Sequence, residues 1–389
     1  MLYCALSAGG GKGMAARTRS ILLGLVALGV IALVLFLLRS RSGSEPAAPG
    51  SAPTPGATAS ASPGGAPPGA SPGGSRPSSQ APAASPSQPG APSKPEVFAE
   101  LGWGSGPSQL GRHRPQEASP EAPMSMTADL LGNVVVLDQV NGRLLRMDPE
   151  GKVLGTFPVT QQTPQDITLA KDGSLLVLDR IKDKTVAIIN PDTGALRGEL
   201  PVGGKNIPEP GLVTGTFVDG DSVYVEREHG ALVRIGDTSG NADLERPEIP
   251  GRPTRDGRLY VFANITDRKL GRVLVNAVDR QTGQHRYTRE YRFGFPLMSI
   301  NLLDSDLSGT LYLGVTGELS TVAAAPPHNY GVRVYCLESV EGKVLGQTDL
   351  PLNTLPEETF RDFAVLDEGG LLYRHITDSG VTLLRARCR

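Results

Sequence analysis

The chain has 389 residues, with 38 basic side chains balanced against 40 acidic ones, and its 48 Gly and 33 Pro make up about a fifth of the total, against roughly 12% in ordinary chains. The balanced charge excludes the strongly basic domains that bind nucleic acid. Three cysteines exclude a disulfide-dense mini-protein and any Cys-rich metal framework.

Residues 21–38 are 18 consecutive apolar residues without a charge. At 1.5 Å per residue they would make about 27 Å of helix, enough for a thin bilayer core. Arg17 and Arg19 precede the run, Arg39 and Arg41 follow it, and no small-residue cleavage site or lipid-accepting Cys comes after it. An uncleaved membrane anchor is therefore expected, ahead of a secretory signal or a buried core helix. Lys12, Arg17 and Arg19 outnumber the basic residues after the run, which places residues 1–20 in the cytoplasm. Met14 would also make a natural start. Gly11-Lys12-Gly13 lacks the spacing of a phosphate-binding loop.

Residues 39–95 read as a spacer. From 43 to 94 the chain is almost entirely Pro, Ala, Gly and Ser, with Glu45, Arg76 and Lys94 as its charges. Such a stretch buries too little apolar surface to offset its ordering entropy, so disorder is expected. As a coil it would span roughly 40 Å, and as a polyproline extension up to about 160 Å. A passive tether, carriage through a wall layer and a ligand for a proline-binding groove all fit it.

Residues 96–389 show no helical periodicity. Short β-rich runs follow Gly132, Gly173, Gly220, Gly257, Gly309 and Gly370, and the pairs Asp172-Gly173, Asp219-Gly220 and Asp256-Gly257 favour tight hairpins. Each run is followed by a second, and several by a further outer strand. One four-stranded sheet per roughly 40–60 residues, six times over, is the arithmetic of an all-β, six-bladed propeller; seven blades would need a unit that the sequence does not contain. The last unit lacks an outer strand, and residues 95–103 look like a spare one whose pairing would close the ring. Trp103 is expected to pack at that seam.

Residues 132–154 and 172–196 resemble the NHL and six-bladed propeller superfamily, which includes gluconolactonase-like and strictosidine-synthase-like enzymes. The first two units match best, and the resemblance covers about three-quarters of the chain. It implies the fold. From its lactonase-like members it also implies a divalent metal, such as calcium, held in the central channel by carboxylates and Asn. Asp166, Asn301 and Asp362 are the candidate ligands because each falls near the start of a first strand, although a structural role as strand-end residues competes. Asp304-Ser-Asp306 imitates the opening of a calcium loop, but position twelve is Val315 instead of Glu.

Antiparallel order sends the loops between strands one and two, and three and four, to one face; these are short. The loops between strands two and three, and between blades, emerge opposite and are longer, including 203–211, 263–271, 315–331 and 352–358. That face is the expected binding face. Its candidates are Arg180, Lys182, Lys184, Arg227, Glu228, His229, Arg268, Lys269, His328, Asn329, Tyr330 and His375. No metalloprotease, nucleophile-elbow or Cys-x-x-Cys motif occurs. Cys336 falls in the third strand of the fifth blade and Cys388 just beyond that of the sixth, where a disulfide and an unbonded pair both remain open. Cys4 lies across the membrane and stays reduced. The expectation is a membrane-tethered, periplasmic platform without a cofactor that binds a protein or glycan. The competing reading is a metal-dependent lactonase- or esterase-like hydrolase.

Overall fold

Val134–Asp138 and Leu175–Asp179 bury every residue they contain. Strands apolar on both faces must be covered on both faces, and stacking small sheets around a ring is one way to achieve this. The computed structural model describes residues 92–319 and 330–388. The expected tail, the helix at 21–38, nearly all of the spacer, and His328 and Asn329 lie outside the described residues. No helix among the described residues is long and apolar enough to cross a membrane.

Six antiparallel four-stranded sheets form the blades of the propeller. Blade 1 comprises β2 (Ser125–Ala128), β3 (Val134–Asp138), β4 (Arg143–Met147) and β5 (Val153–Pro158). Blade 2 comprises β6 (Asp166–Leu169), β7 (Leu175–Asp179), β8 (Thr185–Ile189) and β9 (Leu196–Pro201). Blade 3 comprises β10 (Val213–Asp219), β11 (Ser222–Arg227), β12 (Leu232–Asp237) and β13 (Glu248–Ile249). Blade 4 comprises β14 (Arg252–Pro253), β15 (Leu259–Asp267), β16 (Arg272–Asp279) and β17 (His285–Arg292). Blade 5 comprises β18 (Leu297–Ser305), β19 (Leu311–Glu318), β20 (Tyr330–Leu337) and β21 (Val344–Pro351). In blade 6 the order is β22 (Phe363–Val365), β23 (Leu371–Ile376), β24 (Gly380–Ala386) and then β1 (Glu96–Gly102), the first strand among the described residues. Glu96 faces Arg385 and Gly102 faces Gly380, so the spare strand closes the ring. The six turn glycines all adopt positive φ, between 61° and 88°, the conformation that tight hairpins require.

Two expected loops shorten because the strands continue into them. β15 runs on to Asp267 with Phe262, Asn264 and Thr266 exposed between more buried neighbours, and β19 reaches Glu318 before β20 resumes at Tyr330. Alternation that reads as loop polarity in sequence is here a half-exposed strand. Blades 4 and 5 consequently have strands of up to 9 residues, where blades 1 and 2 have 4 to 6.

Buried apolar clusters join blades 1 and 2, 2 and 3, 4 and 5, 5 and 6, and 6 and 1. The seam between blades 3 and 4 has no such cluster among the described residues. There β13 and β14 contribute two residues each, and Pro250 and Pro253 lie at the crossing, where a missing N–H cannot extend a ladder. Arginines bridge the seam instead. Arg280 makes a bidentate pair with Asp219, at 3.1 and 2.5 Å, and lies over the Tyr260 ring.

Trp103 packs at the closing seam, where its indole donates to Thr377 O. At the other end of β24, Cys336 of β20 and Cys388 form a disulfide with Cα atoms 6.0 Å apart.

Candidate functional site

A cavity of about 910 Å³ opens on the long-loop face beside the polar seam. Blade 3 supplies Thr214, Phe217, Glu226 and His229; blade 4 supplies Arg252, Phe262 and Arg268; blade 5 supplies Asn301; blade 6 supplies Phe360, Arg361 and Asp362. Its position follows from the fold. The innermost strand of blade 4 is a Pro-terminated stub, so the inner wall is missing there, while the long β15 and β18 stand up beside the gap.

Arg361, delivered by the loop into β22, reaches across to blades 2 and 3. Its Nε and Nη2 donate to Asp166 at 3.1 and 2.7 Å, and Nη2 also donates to Thr216 O at 2.7 Å. Asp166 is fully buried and also accepts from Ser125 Oγ at 2.6 Å and from the Thr216 N–H at 2.8 Å. One carboxylate thus gathers groups from blades 1, 2, 3 and 6. Arg252 donates to Glu226 at 2.5 Å and to Leu303 O at 2.9 Å. The guanidiniums of Arg252 and Arg361 both lie over the Phe217 ring, 4.5 and 5.0 Å from its centroid.

Burial alone would raise the Glu226 pKa. Arg252, and hydrogen bonds with His229 and Thr214, overcome that and hold it at about 2. His229, whose Nδ1 lies 3.7 Å from Glu226, is raised in turn, chiefly by that contact. Its backbone and that of Glu228 sit in the left-handed region, at φ 55° and 51°, which marks a strained hairpin tip at the cavity rim.

The three candidate metal ligands are not brought together. Asp166 is tied to Arg361. Asp362 lines the cavity with Arg374 Nη2 2.5 Å from its Oδ1. Asn301, also on the lining, donates to Thr316 Oγ1 at 2.8 Å. Each carboxylate faces a guanidinium, a poor setting for a second cation. Among the described residues no group of three or more His, Cys, Asp or Glu is placed to hold a metal ion. Asp306, in the calcium-loop mimic, accepts from Ser308, Thr310 and Tyr312 in the β18–β19 turn, while Asp304 pairs with Arg255.

Of the binding-face candidates, His229 and Arg268 line the cavity. Arg180 lies over Phe360 at 4.8 Å and donates to the Gly211 and Val213 carbonyls, so it braces the loop into blade 3. Arg227 pairs with Glu248 and donates to Asn206 O. Lys182, Lys184 and Lys269 are exposed away from the lining, and Tyr330 starts β20 at 42% exposure. His375 is half-buried in β23, its pKa lowered by burial, and its Nδ1 has no hydrogen-bond partner. Sequence reasoning missed Arg252, Phe217, Glu226 and Arg361. The one available signal was that Arg361 immediately precedes Asp362.

No family model matches the chain, and no curated protein matches it. Solved structures similar to it include hydrazine synthase from Kuenenia stuttgartiensis, 16% identical over 70% of this chain and 80% of that one, with a TM-score of 0.44. A DUF4221 family member from Bacteroides vulgatus is 11% identical over 75% of this chain and 97% of its own, with a TM-score of 0.44. A streptogramin B lyase is 12% identical over 72% and 97%, with a TM-score of 0.38. At these values the likeness carries nothing about chemistry, and the architecture stands on the six sheets themselves.

Proposed function

We propose that the protein is a membrane-anchored recognition domain, held outside the cytoplasm by residues 21–38 and the spacer, that binds a glycan non-catalytically in the cavity beside the blade 3–4 seam. In this reading the repeats of blades 1 and 2 are of the NHL type. The observation that carries it is the pairing of every carboxylate at the cavity with an arginine: Asp166 with Arg361, Glu226 with Arg252, Asp304 with Arg255 and Asp362 with Arg374. Such pairing sets a guanidinium against each carboxylate where a cation would have to approach, and it fixes the lining in one geometry. The volume suits a small ligand or a short oligosaccharide, and Phe262, 38% exposed on the tall wall, offers a flat apolar face.

A glycan array probed with the full-length chain in mild detergent tests the reading. Binding to a defined polysaccharide class is expected, weakened about tenfold by Phe262→Ala at an unchanged melting temperature. The absence of any glycan binding overturns the reading, as does turnover of an ester or lactone that cavity substitutions abolish.

A further inference from the structure

We propose that the cavity seats the carboxylate of an acidic glycan between Arg252 and Arg361, an inference that rests on the glycan-binding reading and adds the chemical class of the ligand. An inventory of hydrogen-bonding capacity supports it. The acceptors of the floor are already engaged. Asp166 takes Ser125, the Thr216 N–H and both arms of Arg361, while Glu226 takes Arg252 on one oxygen and Thr214 on the other at 3.1 Å.

The donors of the floor are not all engaged. A guanidinium carries five N–H groups on three nitrogens. Arg361 commits Nε and Nη2, which leaves Nη1. Arg252 commits Nη1 to Leu303 O and Nη2 to Glu226, which leaves Nε. Both side chains line the cavity, at 20% and 26% exposure, and neither spare nitrogen is closed off from solvent. Both guanidiniums lie over the single Phe217 ring, a contact that uses no N–H.

The rim repeats the imbalance. Arg268 donates to Met298 O, and among the described residues no carboxylate lies within ion-pair distance of it. A floor whose carboxylates are paired and whose guanidiniums keep spare N–H groups calls for a ligand rich in acceptors. A carboxylate meets the guanidinium fork with two oxygens and brings no donor of its own, whereas a neutral sugar hydroxyl is a single uncharged oxygen that also brings a donor the floor does not need, and a metal cation would face guanidiniums. The half-exposed Phe262 beside this floor favours a pyranose ring as the carrier of the charge.

Calorimetric titration of the full-length chain in mild detergent tests this with oligogalacturonate, the same oligomer methyl-esterified, and an oligoglutamate peptide. The free acid is expected to bind at least tenfold more tightly than its ester, and to lose affinity as salt rises. Arg268→Ala, at the exposed rim, should weaken binding of the free acid severalfold at an unchanged melting temperature. Arg252→Lys, which keeps the charge and removes the fork, should weaken it further, with circular dichroism checking that the fold persists. Equal binding of acid and ester overturns the carboxylate seat and leaves the glycan reading standing. Failure of both oligomers overturns both. Tighter binding of the peptide than of the sugar acid overturns the glycan as the carrier of the charge.

Discussion

Glu226 is a carboxylate that folding makes far more acidic than it would be in water. Burial opposes its ionisation, yet the guanidinium of Arg252 at 2.5 Å, with the Thr214 hydroxyl and His229, brings the pKa from 4.5 down to about 2. A carboxyl whose folded-state pKa lies below its unfolded one stabilises the fold fully above the unfolded value, and that contribution is lost as pH falls through the folded value. A shift of this size corresponds to about 3 kcal/mol. The stability of the protein relative to Glu226→Gln should therefore narrow steadily as pH falls from about 4.5 towards 2, and narrow again as pH rises and His229, raised by its contact with Glu226, loses its proton, as read by chemical denaturation at each pH. A gap that does not change with pH would mean that Glu226 acts through packing alone. The same residue shows where sequence reasoning stops. Glu226 was legible as the end of a strand after Gly220, but Arg252, its partner, belongs to the next blade, and only the ring brings them together. Asp166 and Arg361 are separated by 195 positions, so no local pattern couples them, and the carboxylate read as a metal ligand is instead the anchor of an arginine.

The strands themselves were readable where their chemistry is local. A turn glycine followed closely by three to five apolar residues marks the second strand of every blade, because that strand lies between two others in its sheet. The short inner strands and β13 carry too little pattern to be seen, and it is at β13 and β14 that the apolar core gives way to the arginine seam. The third strand of blade 5 and the residues just beyond that of blade 6 show the opposite case, in which neighbouring blades become bonded partners. Cys336 and Cys388 close a loop of 52 positions and fix the end of β24 to the neighbouring blade. A cross-link of that span contributes on the order of 3 kcal/mol, chiefly by limiting the unfolded chain. Cys336→Ser should lower stability by about that amount under oxidising conditions, and added reductant should destabilise the parent chain to the same level while leaving the variant unchanged. Equal sensitivity of the two to reductant would show that the bond does not support the fold.

At the scale of the whole molecule, the ring is closed by a strand from the other end of the chain. β1 enters at Glu96 opposite Arg385 and leaves at Gly102 opposite Gly380, so the polypeptide arrives on the short-loop face, and β1 itself delivers it to the long-loop face where the cavity opens. Both ends of the described domain therefore lie on the face opposite the cavity. Closure also disposes of an edge. Without β1, β24 would present an unpaired ladder of apolar residues, the template on which strands of other molecules add. Pro in place of Ala99, which pairs with Leu383 and is nearly buried, would remove an N–H and force the strand away from β24. Two changes are expected together: a melt that broadens as blade 6 opens before the rest, and a concentration-dependent rise in mass by light scattering as freed β24 edges pair between molecules. A variant that melts at the parent temperature and stays at the parent mass would show that the sheet of blade 6 holds without its first-strand clasp, and that the blade-to-blade apolar clusters alone maintain the ring.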